Sequence, residues 1–250
     1  MIEIISKEQF VQMVYKYHYS KVLPKLTKIY LGDSKLNAVV SLGWGVRPLH
    51  TIKKLFPSLK TKDYLEIGKM CLNDDSPKNS ESMFISQIIK WLKQNRPALK
   101  VLFTWADGML GKAGYIYQAS NFLYGGFIWT DTYFSSEGEK IHPRATGKIG
   151  GRPSSLKMIK LNWKHYRGKQ FRYCYFLCKK REKKRLLSES TVEWTLNHPK
   201  DKDLEWKEKT DNGWVMCEKP PYNMKANNFS RNARKTEGIS KQRLFFNDYE

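Results

Sequence analysis

An α/β fold of the α+β kind, with a mixed central sheet flanked by helices, is what this 250-residue chain predicts, on three observations. Residues 65–122 read as strand, phosphate-sized loop, helix, strand, helix and strand, an alternation that layers helices on a sheet. Residues 28–44 read as an antiparallel hairpin able to extend that sheet. Hydrophobic residues make up 40% of the chain, enough for a true core in one large domain or one domain plus an appendage.

Taken in order, Ser6 caps a helix that runs to Tyr17 and sets Phe10, Val14 and Tyr17 on one face. His18-Tyr19-Ser20-Lys21 follows, and Leu23-Pro24 ends the turn. Lys28–Gly32 and Asn37–Trp44 are strands joined through Gly32-Asp33-Ser34. The glycines of Gly43-Trp44-Gly45 permit close backbone approach, suited to stacking a base or opening a cleft. A bulge beside a core tryptophan explains them equally well. Leu49–Phe56 is a short basic helix.

Leu65–Leu72 alternates apolar and polar residues as a strand does. Asn73–Ser82 is dense in turn and cap residues, and Met83–Gln94 places Phe84, Ile88, Trp91 and Leu92 on one helical face. Pro97 breaks that helix, Val101–Asp107 is a second buried strand, and Gly111–Phe122 is a second short helix. A strand that feeds a loop at a helix N-terminus forms an anion cradle. Here the hydroxyls and N–H groups of Ser80-Glu81-Ser82 would face the anion, although ordinary capping accounts for the same residues.

The formal charge of +21 implies a polyanionic partner, most simply nucleic acid, with a membrane surface as the second choice. No basic amphipathic helix of suitable length, no long apolar run and no signal peptide at Met1-Ile2-Glu3 is seen, which points to a cytoplasmic protein with no membrane partner. Cys71, Cys174, Cys178 and Cys217 form no C-x-x-C pair and no zinc spacing, so they read as reduced and structural.

The charge is unevenly placed. Residues 140–185 alone carry a net +15, while 186–250 balance to zero. Arg144, Lys148 and Arg152 lie in a glycine-rich basic loop whose Gly-Arg-Pro partly matches a minor-groove hook, though a plain linker has the same composition. Lys164, Arg167, Lys169 and Arg172 alternate with aromatic residues that would stack bases. Half of those aromatics belong to the core instead if Gln170–Cys178 is a strand with one buried face. Lys179, Lys180, Arg181, Lys183, Lys184 and Arg185 form a phosphate-facing turn or helix end. Trp194, Trp206 and Trp214 mark short strands or a clasp over the core, and a tail begins near Asn223. The expected organisation is a catalytic core over 1–130, a basic, aromatic-rich DNA-binding extension over 131–222 and a tail over 223–250.

Ile116-Tyr117-Gln118-Ala119-Ser120-Asn121-Phe122 resembles the Leu-Tyr-x-x-x-Gly-Phe ending of the fourth helix in the GNAT superfamily of acyl-CoA-dependent N-acetyltransferases. Asn121 replaces the usual glycine, and both residues tolerate a left-handed backbone. A wider stretch, from about Val14 to Tyr124, resembles the Mom family of phage DNA-modification proteins. It is carried by Leu72-Asn73-Asp74-Asp75-Ser76-Pro77-Lys78-Asn79-Ser80-Glu81-Ser82, by Ala106-Asp107, and by Gly111 to Ala119 with its Tyr-Gln-Ala. The glycine-rich phosphate loop of GNAT enzymes is absent, and Ser76 to Ser82 stands in its place.

That resemblance implies a GNAT-like core and an enzyme that places a carbamoylmethyl-type group on the exocyclic amine of adenine in double-stranded DNA. It implies a small-molecule donor, acyl-CoA (acetyl-CoA) or a relative, held by Lys78, Asn79, Ser80, Glu81, Ser82 and Tyr115. Tyr117 takes the role of acid at the donor, and His18 and Tyr19 fall where the nucleobase lies. Asp107, at the C-terminal end of a central strand, is the candidate base or metal ligand, because sites in open sheets gather at such ends. With His18 and Tyr19 it offers a ligand set for iron. A phage-encoded protein of this kind would act in the host cytoplasm, on anti-restriction duty. Two other functions compete: an ordinary N-acetyltransferase on a protein or small amine, and a non-enzymatic nucleic-acid-binding protein on a transferase scaffold.

Overall fold

The computed structural model describes residues 1–20, 22–46, 48–138, 140–141 and 162–220. Helix α1 (Lys7–Tyr17) opens on the expected cap: the Ser6 hydroxyl accepts from the Gln9 N–H, and the Gln9 side chain accepts from the Ser6 N–H. Helices α2 (Pro48–Leu55), α3 (Ser80–Asn95), α4 (Tyr115–Ala119) and α5 (Lys180–Glu189) follow among the described residues. The strands are β1 (Ile2–Ile4), β2 (Thr27–Asp33), β3 (Ala38–Gly43), β4 (Tyr64–Leu72), β5 (Val101–Asp107), β6 (Leu123–Phe134), β7 (Lys140–Ile141), β8 (Lys164–Phe176), β9 (Trp206–Thr210) and β10 (Gly213–Cys217).

The ten strands of the described residues join one mixed sheet in the order β1-β2-β3-β4-β5-β8-β6-β7, with β9 pairing both β8 and β10. Only β4 and β5 run parallel, because α3 crosses between them; the remaining neighbours are antiparallel. Alternation along the strands sorts the core into two layers. Val40, Leu42, Leu65, Ile67 and Leu102 meet Phe84, Ile85, Ile88 and Leu92 of α3. Val39 and Cys71 meet Phe10, Val11 and Val14 of α1, while Tyr64, Val101 and Phe103 meet Ile52 and Leu55 of α2 and Leu186 of α5. Helices therefore cover both faces, as expected for this class. Among the described residues no helix is long and apolar enough to cross a membrane.

Three local expectations shift. The hairpin turn falls at residues 34–37 rather than 32–34: Asp33 Oδ1 accepts from the N–H groups of Lys35 and Leu36, and Asn37 takes the left-handed φ of 45° that closes the turn. The helix expected over 111–122 contracts to α4, because Gly111 and Gly114 are left-handed, at φ 77° and 93°. Asn121 is left-handed too, at φ 59°. Finally, β8 lies inside the sheet between β5 and β6, and β6 itself crosses residue 130, so the sheet does not follow a boundary at that point. Phe171 and Tyr173 of β8 pack with the α3 layer and Cys174 and Phe176 with the other, so those aromatics are buried rather than presented to a partner.

The C-terminal segment clasps this core. Trp194 stacks on Phe56 at 5.4 Å, and Trp206 Nε1 donates to the carbonyls of Gly108 and Met109. His198 Nε2 lies 2.8 Å from the carbonyl of Phe122, and Gln118 donates to the carbonyl of Pro199. The tail beyond residue 220 and the basic loop with Arg144, Lys148 and Arg152 lie outside the described residues.

Candidate active site

The site arises from how β4 and β5 part. They pair only at Tyr64↔Val101, Leu65↔Leu102 and Glu66↔Phe103, although β4 runs on to Leu72 and β5 to Asp107. Each keeps its outer neighbour throughout: β4 stays with β3 to Leu72↔Ala38, and β5 with β8 to Asp107↔Gln170. The two halves of the sheet thus diverge beyond Glu66, and the β4 edge facing the gap has no strand partner among the described residues. Thr104 sits at the apex, its hydroxyl reaching the Ile67 carbonyl at 3.5 Å. A cavity of about 620 Å³ occupies the gap, lined by Tyr17–Ser20, the second half of β4, Trp105–Asp107, and Gly111–Tyr117.

His18, Tyr19, Asp107, Tyr115 and Tyr117, drawn from three distant segments, all line this cavity. His18 ends α1, its N–H donating to the Val14 carbonyl at 3.1 Å. Its Nδ1 lies 2.9 Å from the Ser20 N–H, 3.0 Å from the Ser20 carbonyl and 3.3 Å from the Lys69 ammonium, which also donates to the Ser20 carbonyl. Tyr19 stacks beside His18 at 4.3 Å, and the Lys112 ammonium stands over the Tyr19 ring at 4.3 Å. Burial lowers the Lys112 pKa, against the opposing pull of Asp107 and Glu81. Asp107 caps the following turn, Oδ1 accepting from the Met109 N–H at 3.1 Å.

Tyr117 is the most enclosed of the group, only 8% exposed and packed against Phe122 and Tyr173. Burial raises its pKa, and the charge of Glu66 adds to the rise, while a hydrogen bond with Thr104 opposes them. Its hydroxyl therefore stays protonated. Gly114 makes this packing fit: a Cβ there would stand 2.6 Å from the Tyr173 ring.

The loop expected to hold a donor's phosphates is only partly at hand. Asn79 is left-handed and Ser80 buried, and the Ser82 hydroxyl turns back to the Asn79 carbonyl at 2.9 Å. Of that set Glu81 and Tyr115 line the cavity, together with Asp74, whereas Lys78, Asn79, Ser80 and Ser82 do not. Two carboxylates at the mouth disfavour a pyrophosphate there.

His18, Tyr19 and Asp107, the set proposed to hold iron, all line the cavity. Nδ1 of His18 lies 2.9 Å from the Ser20 N–H, 3.0 Å from the Ser20 carbonyl and 3.3 Å from the Lys69 ammonium. The Lys69 charge disfavours a cation at Nδ1 itself. Among the described residues no three His, Cys, Asp or Glu side chains gather as a metal site.

The basic residues proposed to meet nucleic acid are largely tied into the fold. Lys164 pairs with Glu208, Arg167 with Asp131, Lys169 with Glu205, and Arg185 with Glu182 and Glu189. Arg172 is half-buried and donates to the Phe127 carbonyl, and Lys183 lies over the Phe176 ring. Lys179, Lys180, Arg181 and Lys184 project from the start of α5, exposed. That helix meets Lys100, at the N-terminal end of β5, through Glu182. Asp107 marks the opposite end, roughly 20 Å away at about 3.3 Å per strand residue. Among the described residues the cations that line the cavity are instead Lys69 and Lys112. Sequence reading missed both; the one available signal for Lys69 was a lysine within an otherwise buried strand run.

Comparison with known proteins shows the family of the chain. The Mom protein family model matches residues 1–193. The chain is similar to methylcarbamoylase mom of Escherichia phage Mu, 31% identical over 175 residues, covering 68% of this chain and 71% of that protein. The matched span contains the diverging strands and every residue lining the cavity between them, and this chain belongs to the Mom protein family.

Proposed function

We propose that this protein is a DNA-modifying transferase that adds a small carbamoyl-bearing group to the exocyclic amine of adenine in double-stranded DNA. The observation that carries the reading is the convergence of His18, Asp107 and Tyr117 on one cavity between parting strands. The name of the phage Mu relative, a methylcarbamoylase, supports a carbamoyl-type group. The open β4 edge suits the extended amide arm of an acyl-CoA-type donor, which would pair with it as a strand does. Such a donor, if bound there, would supply the group that is transferred and leave as its thiolate.

The chain's own residues then divide the work. Tyr117, kept protonated by burial, offers a proton at the leaving atom. Asp107 stands at the cavity wall as the proton acceptor. His18 and Lys69, 3.3 Å apart on the cavity lining, orient the incoming amine. The target base must leave the duplex stack to reach a cavity of this depth.

DNA from cells expressing the protein, digested to nucleosides and measured by mass spectrometry, should contain a deoxyadenosine derivative heavier than its parent. Asp107→Asn retains an acceptor for the Met109 N–H and should abolish that peak without unfolding the protein. Unmodified DNA from cells rich in folded protein refutes the proposal and favours a nucleic-acid-binding role.

A further inference from the structure

Glu66 plays no part in the chemistry above, yet the fold aims it with care. The β3–β4 register passes from Ser41↔Lys69 to Leu42↔Ile67, which leaves Gly68 as a bulge. That extra residue puts Glu66 and Lys69 on the same face of β4, where a regular strand would set them on opposite faces. Against this face lies a second cavity of about 340 Å³, walled by Leu23, Pro24, Gly45 and Glu66. It shares Ser20, Gly68 and Lys69 with the first cavity, so the two adjoin across the β4 bulge.

The Glu66 carboxyl has no hydrogen-bond or ion-pair partner among the described residues. Room for it is built in: Gly45 is left-handed at φ 70°, and a Cβ there would fall 2.3 Å from Glu66 Oε2. Burial alone pushes the carboxyl up to about 7, so both protonation states are populated near neutrality. A carboxyl repels a phosphate and pairs with N–H donors, which the amino edge of a base supplies. At the small end of ligand cavities, which start at about 300 Å³, the space suits a single base.

We propose that this second cavity receives the extruded base as a 6-aminopurine, with the Glu66 carboxyl paired to the edge carrying the amine. The proposal rests on the adenine-modification reading and deepens it. In the neutral acid the carbonyl oxygen accepts from the 6-amino N–H and the hydroxyl donates to the neighbouring ring nitrogen, two bonds of complementary sense. Leu23 and Pro24 offer apolar surface to the ring faces. Lys69, at the shared wall, marks where the amine meets the donor cavity.

The test is calorimetric titration of the full chain with free adenine. The wild type should bind roughly tenfold more tightly at about pH 6 than at about pH 8, as the neutral acid gives way to the carboxylate. Glu66→Gln keeps one donor and one acceptor and should bind with that pH difference removed. This variant separates Glu66 from Lys25, Lys69, Tyr64 and Tyr117, the other titratable groups that face it. Glu66→Ala should weaken binding by roughly 5- to 150-fold, the worth of a bidentate pair, and purine lacking the amino group should bind the wild type weakly. If Glu66→Ala fails to fold, the pH comparison with Glu66→Gln decides. Adenine binding untouched by both substitutions overturns the assignment, as does absence of binding by a wild type that does modify DNA. Binding that follows the predicted pattern, in a protein that leaves DNA unmodified, upholds the pocket and refutes the transferase reading instead.

Discussion

Replacing Glu66 by Gln should stabilise the protein, and only at neutral and alkaline pH. The folded state holds the carboxyl at about 7 against an ordinary value of 4.5. Between those values the folded chain binds more protons than the unfolded one, so its stability falls as pH rises through the window. At about 1.4 kcal/mol per pKa unit the full shift corresponds to roughly 3 kcal/mol, an upper figure because the carboxyl keeps some contact with solvent. The amide does not titrate and escapes that loss. Urea or thermal unfolding of both proteins, at about pH 5 and about pH 8, reads the difference directly. Near pH 8 the variant should melt higher by roughly 6–12 °C, at about 2–4 °C per kcal/mol for a domain of this size. Towards pH 5 the advantage should shrink to a small remainder. Parallel stability profiles for the two proteins would show that Glu66 is not desolvated, and would remove the physical basis for its raised pKa.

Tyr117→Phe should lower DNA modification by about 100- to 10,000-fold, the usual worth of a positioned acid, while the fold survives the loss of one hydroxyl; undiminished modification would make Tyr117 a packing residue only. Neutralising Lys179, Lys180, Lys183 and Lys184 together should reduce the slope of log affinity against log salt by up to about 0.9 for each DNA phosphate they neutralise. Because α5 lies at the far end of β5 from Asp107, the identity of the modified base should not change, and an unaltered slope would exclude this helix as a DNA-binding surface. Gly114→Ala should lower the melting temperature more than Gly213→Ala. Both glycines are left-handed, with a backbone penalty of about 1–3 kcal/mol, but only at Gly114 does the new Cβ collide, 2.6 Å from the Tyr173 ring. Equal decreases would mean that the Tyr173 ring yields freely.

What the sequence determined by itself was set by neighbours along the chain. Ser6 and Gln9 start α1 through a reciprocal cap within three residues, and the apolar spacing of Phe84, Ile88 and Leu92 commits α3 to a buried face. The run Val101–Asp107 is apolar enough to be a strand covered on both sides, and it is. Asp107 and Tyr117 stood out because a strand end and a helix motif are local features. Other decisions belonged to tertiary structure. The basic, aromatic run of β8 reads alone as a surface for nucleic acid, yet pairing with β5 and β6 buries its rings and ties up much of its charge. The gap between β4 and β5 has no local mark, since it depends on which strand partners each keeps beyond Glu66. Glu66 and Lys69 are three residues apart, a spacing that puts them on opposite faces of any regular strand. One bulged residue, held by β3 across the sheet, turns them to the same side, and a register shift of that kind is a property of two paired strands that neither can encode alone.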